Sequence, residues 1–145
     1  VPKNIQKLLR VKLLFFFPAL IYTGLILYLS LINLADTPVK DLGMSDKTMH
    51  CGAYFGLGLL WMLFGLFTFE EKGLFKRIMF ISLASVAFGI FIEVLQGVIT
   101  SYRQPDLFDI LANTIGVVVA AIVVWILRKN LTRLKAKINL VLMKN

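Results

Sequence analysis

One cysteine and one histidine in 145 residues leave little room for thiol or paired-imidazole chemistry. Cys51 has no partner for an internal disulfide, and its neighbours Gly52, Ala53 and Tyr54 mark it as a small packing residue rather than a reactive thiol. With His50 as the sole imidazole, no H-x-x-x-H ligand pair exists, and a nucleophile elbow and a phosphate loop are missing as well. Period-two alternation of apolar and polar residues is absent, which excludes a membrane barrel. No low-complexity segment and no internal repeat stands out.

Apolar surface is what the chain has in excess. Hydrophobic residues make up 59% of it, and its mean hydropathy of +0.82 exceeds what a soluble domain of this size can hide. Four runs, roughly 13–34, 50–69, 78–99 and 109–127, each come near the ~20 residues that cross ~30 Å of hydrocarbon. The expected fold is all-α: one polytopic domain over 1–145, a four-transmembrane-helix bundle with a cytoplasmic amphipathic C-terminal tail. The first run follows a basic segment, as a signal peptide would. It is longer than a typical h-region and no clear A-x-A site follows, so it is expected to stay as a span.

Charge sets the expected orientation. Thirteen of the sixteen basic residues fall before the first run, in the second connection or in the tail; Lys40, Lys47 and Arg103 lie on the opposite side. The positive-inside rule then places both termini in the cytoplasm. Of the eight acids only Glu70 and Glu71 share the basic side, so the net charge of +8 describes topology rather than nucleic-acid binding. The inner side lacks polar groups matching those outside and no inverted repeat is visible, which argues against a transporter.

Local signals divide the chain further. Pro18 is tolerated inside the first span, and Ser45 or Asp46 is suited to cap the second. Gly52 and Gly56 match the small-xxx-small pattern of close helix approach. The Glu70–Arg77 connection is short, which makes the second and third spans antiparallel neighbours. Pro105 and Asp106 announce the fourth helix, with Asp106 as N-cap and Asp109 at N3. After Leu127, the apolar residues Leu131, Leu134, Ile138, Val141 and Leu142 fall close to helical spacing opposite Arg133 and Lys137, the pattern of a basic amphipathic helix on the leaflet surface.

Polar residues concentrate at one end. Asp46, His50 and Tyr54 follow at intervals of four on one stripe, Glu93 and Gln96 are three apart, and Asp106, Asp109 and Asn113 share one face of the fourth helix. Ionisable groups in or near lipid cost roughly 2.5–3.5 kcal/mol and persist where they face a protein interior or a wet cavity. The three faces are therefore expected to turn toward each other, with Arg103 joined to Glu93 and Asp109 in one network. His50, oriented by an aspartate, suits a general base, and Glu93 a general acid if it is kept neutral; both are instead structural if they only fix helix packing. Asp106 and Asp109 serve equally well as caps. Lys47 and Arg103 suit a phosphate or carboxylate, or snorkel to the surface. His50, Glu93, Asp106 and Asp109 offer nitrogen and oxygen donors to a metal, but one histidine amid competing cations leads us to expect none, and no cofactor.

The series D-K-x-x-H-x-x-x-Y at 46–54, E-x-x-Q at 93–96, Arg103, and D-x-x-D-x-x-x-N-x-x-G at 106–116 resembles the VanZ-like family of small bacterial membrane proteins. The resemblance covers about 46–116 in order and spacing. It implies a multi-pass protein of the bacterial cytoplasmic membrane and, through the family's namesake, a link to teicoplanin resistance; it implies no defined reaction. Three functions are compatible with it. One is binding of a lipid-linked or peptide-like envelope molecule, or a glycopeptide, by Asp46, Lys47, Tyr54, Gln96, Arg103, Asp106, Asp109 and Asn113. Another is acid–base catalysis on such a substrate by His50 and Glu93. The third is a structural or assembly role in which the polar network only specifies helix packing; membrane lipids are expected partners in each case.

Overall fold

Lipid offers the backbone no hydrogen bonds, so each apolar run has to close its own, and each does so as one long helix. The computed structural model describes residues 3–32, 45–100 and 104–144, and the regular elements among them are α1 (Lys3–Leu31), α2 (Asp46–Thr68), α3 (Leu74–Ile99) and α4 (Leu107–Lys144). All four are long and apolar enough to cross a membrane, the shortest apolar segments having 23 residues. Large apolar side chains stand on the outside: Leu14, Phe80, Val98 and Leu107 are 65–80% exposed, the surface of a multi-pass membrane protein.

Each helix begins before its expected span and α4 also runs past its end, whereas α1 stops at Leu31 and α2 at Thr68, just short of the expected ends; polar and capping residues set the starts. Ser45 caps α2, its hydroxyl accepting the Thr48 N–H at 3.2 Å. Gly73, at φ 83° in the left-handed region, turns the chain into α3. The Asp106 carboxylate caps α4 by accepting the Phe108 N–H at 2.8 Å, which confirms the predicted cap and leaves Asp109 at N3. The basic tail is helical, as its spacing predicts, but it is an unbroken continuation of α4 rather than a separate surface element. Leu131 and Ile138 pack against the core, and the Lys135 ammonium donates to the carbonyls of Leu66 (2.8 Å) and Phe69. A cation there satisfies acceptors that α2 leaves open at its C-terminus.

Helix α2 lies against all three others, most extensively against α4. The core runs along that seam through Tyr54, Leu57, Met62, Val117, Ala120 and Val124. The glycines that permit it are not the predicted pair. Gly52 is exposed, with nothing near where a Cβ would stand, and Gly56 faces the Tyr22 ring of α1. The close approach is at Gly116, where a Cβ would overlap the Cys51 carbonyl and lie 2.8 Å from the Phe55 nitrogen, and at Gly58, where it would meet the Ala120 methyl at 3.3 Å. Helix α1 is tied on by the Tyr22 hydroxyl donating to the Ala53 carbonyl (3.2 Å) and by the Trp61 indole donating to Thr23 (3.0 Å).

Gly116→Ala is expected to destabilise the bundle strongly, because backbone cannot yield as a side chain can; overpacking alone costs about 1–3 kcal/mol. Gly52→Ala is expected to be neutral or slightly stabilising. Thermal unfolding of both variants in detergent checks this, and equal melting temperatures would refute the assigned seam.

Candidate functional site

The α2–α4 seam brings the first turns of both helices side by side, and with them most of the predicted polar residues. The Lys47 ammonium bridges the carboxylates of Asp106 and Asp109. One turn further along α2, His50 Nδ1 lies 3.1 Å from Asn113 Oδ1. A carboxamide oxygen only accepts, so this contact puts the proton on Nδ1 and turns Nε2 toward two carboxylates, Asp46 at 3.8 Å and Asp109 at 3.7 Å. Those distances are too long for a direct hydrogen bond.

Helix α3 enters from below. Glu93, 1% exposed, accepts the Asp106 N–H through Oε2 at 3.1 Å. A buried carboxylate thus serves the N-terminus of α4, where orphan amides and the helix dipole favour negative charge. Glu93 and Asp109 are thereby linked through Asp106 and Lys47, two members of the expected network. Arg103, its third member, lies outside the described residues. Gln96 is buried and donates through Nε2 to the Ser30 carbonyl of α1 at 2.7 Å, so its amide ties α3 to α1.

Tyr54 and Asn113 both come close to Gly89 of α3. A Cβ at Gly89 would stand 3.0 Å from the Tyr54 ring and 3.2 Å from Asn113 Nδ2. The sequence reading passed over Gly89, although its place four residues before Glu93 puts it on the same face of α3. Tyr54 is 2% exposed, and its hydroxyl has no hydrogen-bond partner among the described residues. Leaving such a group unsatisfied costs about 1–3 kcal/mol.

These positions divide chemically. Asp109, Asn113, Glu93 and Tyr54 are buried, whereas Asp46 and Asp106 are open, so the cluster runs from solvent into the bundle. Donor atoms of Asp46, His50 and Asp109 lie within 4.8 Å of one another, a nitrogen and two oxygens of the kind that suits zinc or a harder cation. The Nδ1 contact to Asn113 is the outer support that an Nε2 ligand needs. Lys47 already places a cation against Asp109, which opposes a second. Glu93 and Asp106, also weighed as ligands, face the α4 backbone and Lys47 instead.

The ammonium of Lys47, followed by the Phe108 N–H, holds the Asp106 carboxyl below the usual carboxylate range. A group depressed in this way stabilises the fold above its unfolded value of about 3.9 and loses that contribution as pH falls through its folded value. Lys47→Met is therefore expected to lower the melting temperature at neutral pH and to flatten the acid limb of stability. Lys47→Arg is expected to restore part of both. Unfolding measured from about pH 2 to 6 checks this; a wild-type acid limb in Lys47→Met would show that the pair does not carry it.

Compared with known proteins, the chain matches no family model, no curated protein and no solved structure.

Proposed function

We propose that the chain is a VanZ-like protein of the bacterial cytoplasmic membrane, with both termini cytoplasmic, whose polar end binds an envelope molecule and contributes to glycopeptide resistance. The VanZ-like reading rests on the motif series at 46–116 and the orientation on the distribution of Lys and Arg. The observation that carries binding is the Tyr54 hydroxyl, buried beside Asn113 without a partner among the described residues. A network serving packing alone is stable when every member is satisfied. A buried hydroxyl on the same helix as Lys47 and His50, left without a partner among the described residues, is better explained by a ligand that completes it.

The cluster also indicates the ligand's chemistry. Among the described residues, Asp46, Asp106 and Asp109 outnumber Lys47, and Lys47 is engaged by two of them. Lys47 is thus less suited to seize an anionic group than its sequence position implies. The acidic balance favours amine or amide donors on the ligand, as in a peptide-like or amino-sugar portion of a lipid-linked molecule. A second reading, catalysis, is favoured by the imidazole itself: anchored through Nδ1, with Nε2 beside two carboxylates, His50 has the arrangement of a general base, and Glu93 is the candidate acid.

Orientation is tested with Gln104→Cys and Lys129→Cys in a Cys51→Ser background. A membrane-impermeant thiol reagent on intact cells is expected to label position 104 and spare 129; the reverse would overturn the topology.

Function is tested by teicoplanin tolerance of a susceptible bacterium expressing the chain, normalised to membrane abundance. Tyr54→Phe is expected to keep or raise abundance while lowering tolerance several-fold, because it removes an unsatisfied hydroxyl that the ligand needs. Full tolerance per molecule in Tyr54→Phe would sink the binding reading. His50→Gln and Glu93→Gln separate it from catalysis: complete loss in both at normal abundance supports acid–base chemistry, and full activity in both eliminates it.

A further inference from the structure

At the opposite, basic end of the bundle, α3 and α4 border an open groove of about 710 Å³. Its rim carries Lys76, Arg128, Lys129 and Arg133 against one acid, Glu71. Among the described residues none of these four cations pairs with a carboxylate. Arg128 is positioned without one: its guanidinium lies 4.0 Å over the Trp125 ring and donates to the Trp125 carbonyl at 2.6 Å. Trp125 in turn meets Phe75 edge to face, with centroids 5.6 Å apart.

The same two aromatics border a second groove, of about 300 Å³, between α3 and α4 on the membrane-facing side. Ile78, Met79, Val118, Ala121 and Ile122 line it, with Ser82 as the one polar side chain among its lining residues. A cationic rim and an aliphatic channel thus adjoin across one Phe–Trp pair at the end of two membrane-crossing helices. Trp and Arg at such a level are the usual anchors of the headgroup region.

We propose that this composite groove is a binding site for an anionic phospholipid of the adjacent leaflet, its phosphate among Lys76, Arg128, Lys129 and Arg133 and an acyl chain along Ile78, Val118 and Ala121. Each half explains what the other leaves open. A free phosphate has no use for the apolar channel, and a neutral lipid has none for four cations that no carboxylate among the described residues pairs with. A second copy of the chain is a poor occupant, since the acids of this end are only Glu70 and Glu71. The site is distinct from a general attraction of the tail to the membrane, because Lys76 and Phe75 come from α3.

The test uses the full chain in detergent and native mass spectrometry with phosphatidylglycerol or phosphatidylcholine added at equal concentration. Phosphatidylglycerol is expected to be retained at least about tenfold better, since each basic residue contributes on the order of a few-fold at an anionic surface. The double variants Arg128→Gln/Arg133→Gln and Lys76→Gln/Lys129→Gln should each remove most of that preference. Ala121→Phe, which fills the apolar channel and leaves every charge in place, should weaken retention several-fold. Equal retention of the two lipids would overturn the proposal, as would a preference surviving both charge variants. Displacement of lipid by millimolar inorganic phosphate, or unchanged retention in Ala121→Phe, would reduce the site to a free-anion patch and also overturn it. A two-chain species that excludes lipid would assign the groove to self-association instead.

Discussion

The Cys51 carbonyl stands where any residue but glycine at 116 would place its side chain, and the polar end depends on that contact. It brings the backbones of α2 and α4 close enough for Lys47 to reach Asp106 and Asp109, and for His50 to reach Asn113 one turn further in. Short side chains such as those of His50 and Asn113 meet directly only where the helices lie close. Gly58 and Ala120 continue the seam toward the centre, where Leu57, Met62 and Val117 bury it. Packing therefore comes before chemistry here: the small residues set a distance, and the charged ones exploit it.

Much of this was legible in the sequence, for a simple reason. Length and apolarity determine membrane helices, and helical spacing determines which residues share a face, so the four helices and the convergence of Asp46, His50, Glu93, Asp106, Asp109 and Asn113 followed directly. The cap at Asp106 was equally readable, and that of α2 to within Ser45 or Asp46, because their chemistry is local. What escaped was non-local. Which glycine meets a backbone depends on the partner helix, so spacing could not single out Gly116, nor show that Gly89 meets the Tyr54 and Asn113 side chains and Gly56 the Tyr22 ring. Gln96 shares α3 with Glu93, yet its amide meets Ser30 on α1, a neighbour that spacing along α3 cannot name. Periodicity after Leu127 marked an amphipathic helix but not that α4 continues into it, nor that Lys135 closes the end of α2.

The two ends of the bundle are built on opposite electrostatic plans. At one, among the described residues, carboxylates surround Lys47 and an oriented imidazole, and charge leads inward to the buried Asp109, Glu93 and Tyr54. At the other, cations ring an aromatic pair at the surface and an apolar groove adjoins it. The first arrangement holds its charges in specific mutual contacts, which favours selectivity. The second leaves them exposed above hydrocarbon, which favours attachment to the membrane itself. One bundle accommodates both because its middle is mostly apolar packing, which keeps the two sets of charges at opposite ends of the helices.

The central claim is that residues of three helices form one site that a ligand completes. Density for the full chain isolated from bacterial membranes tests it most directly. The account predicts non-protein density within hydrogen-bonding distance of the Tyr54 hydroxyl, continuous with the space between His50 and Asp109. A polar end closed over those residues, with the Tyr54 hydroxyl bonded to another protein group and no density beside it, would contradict the claim.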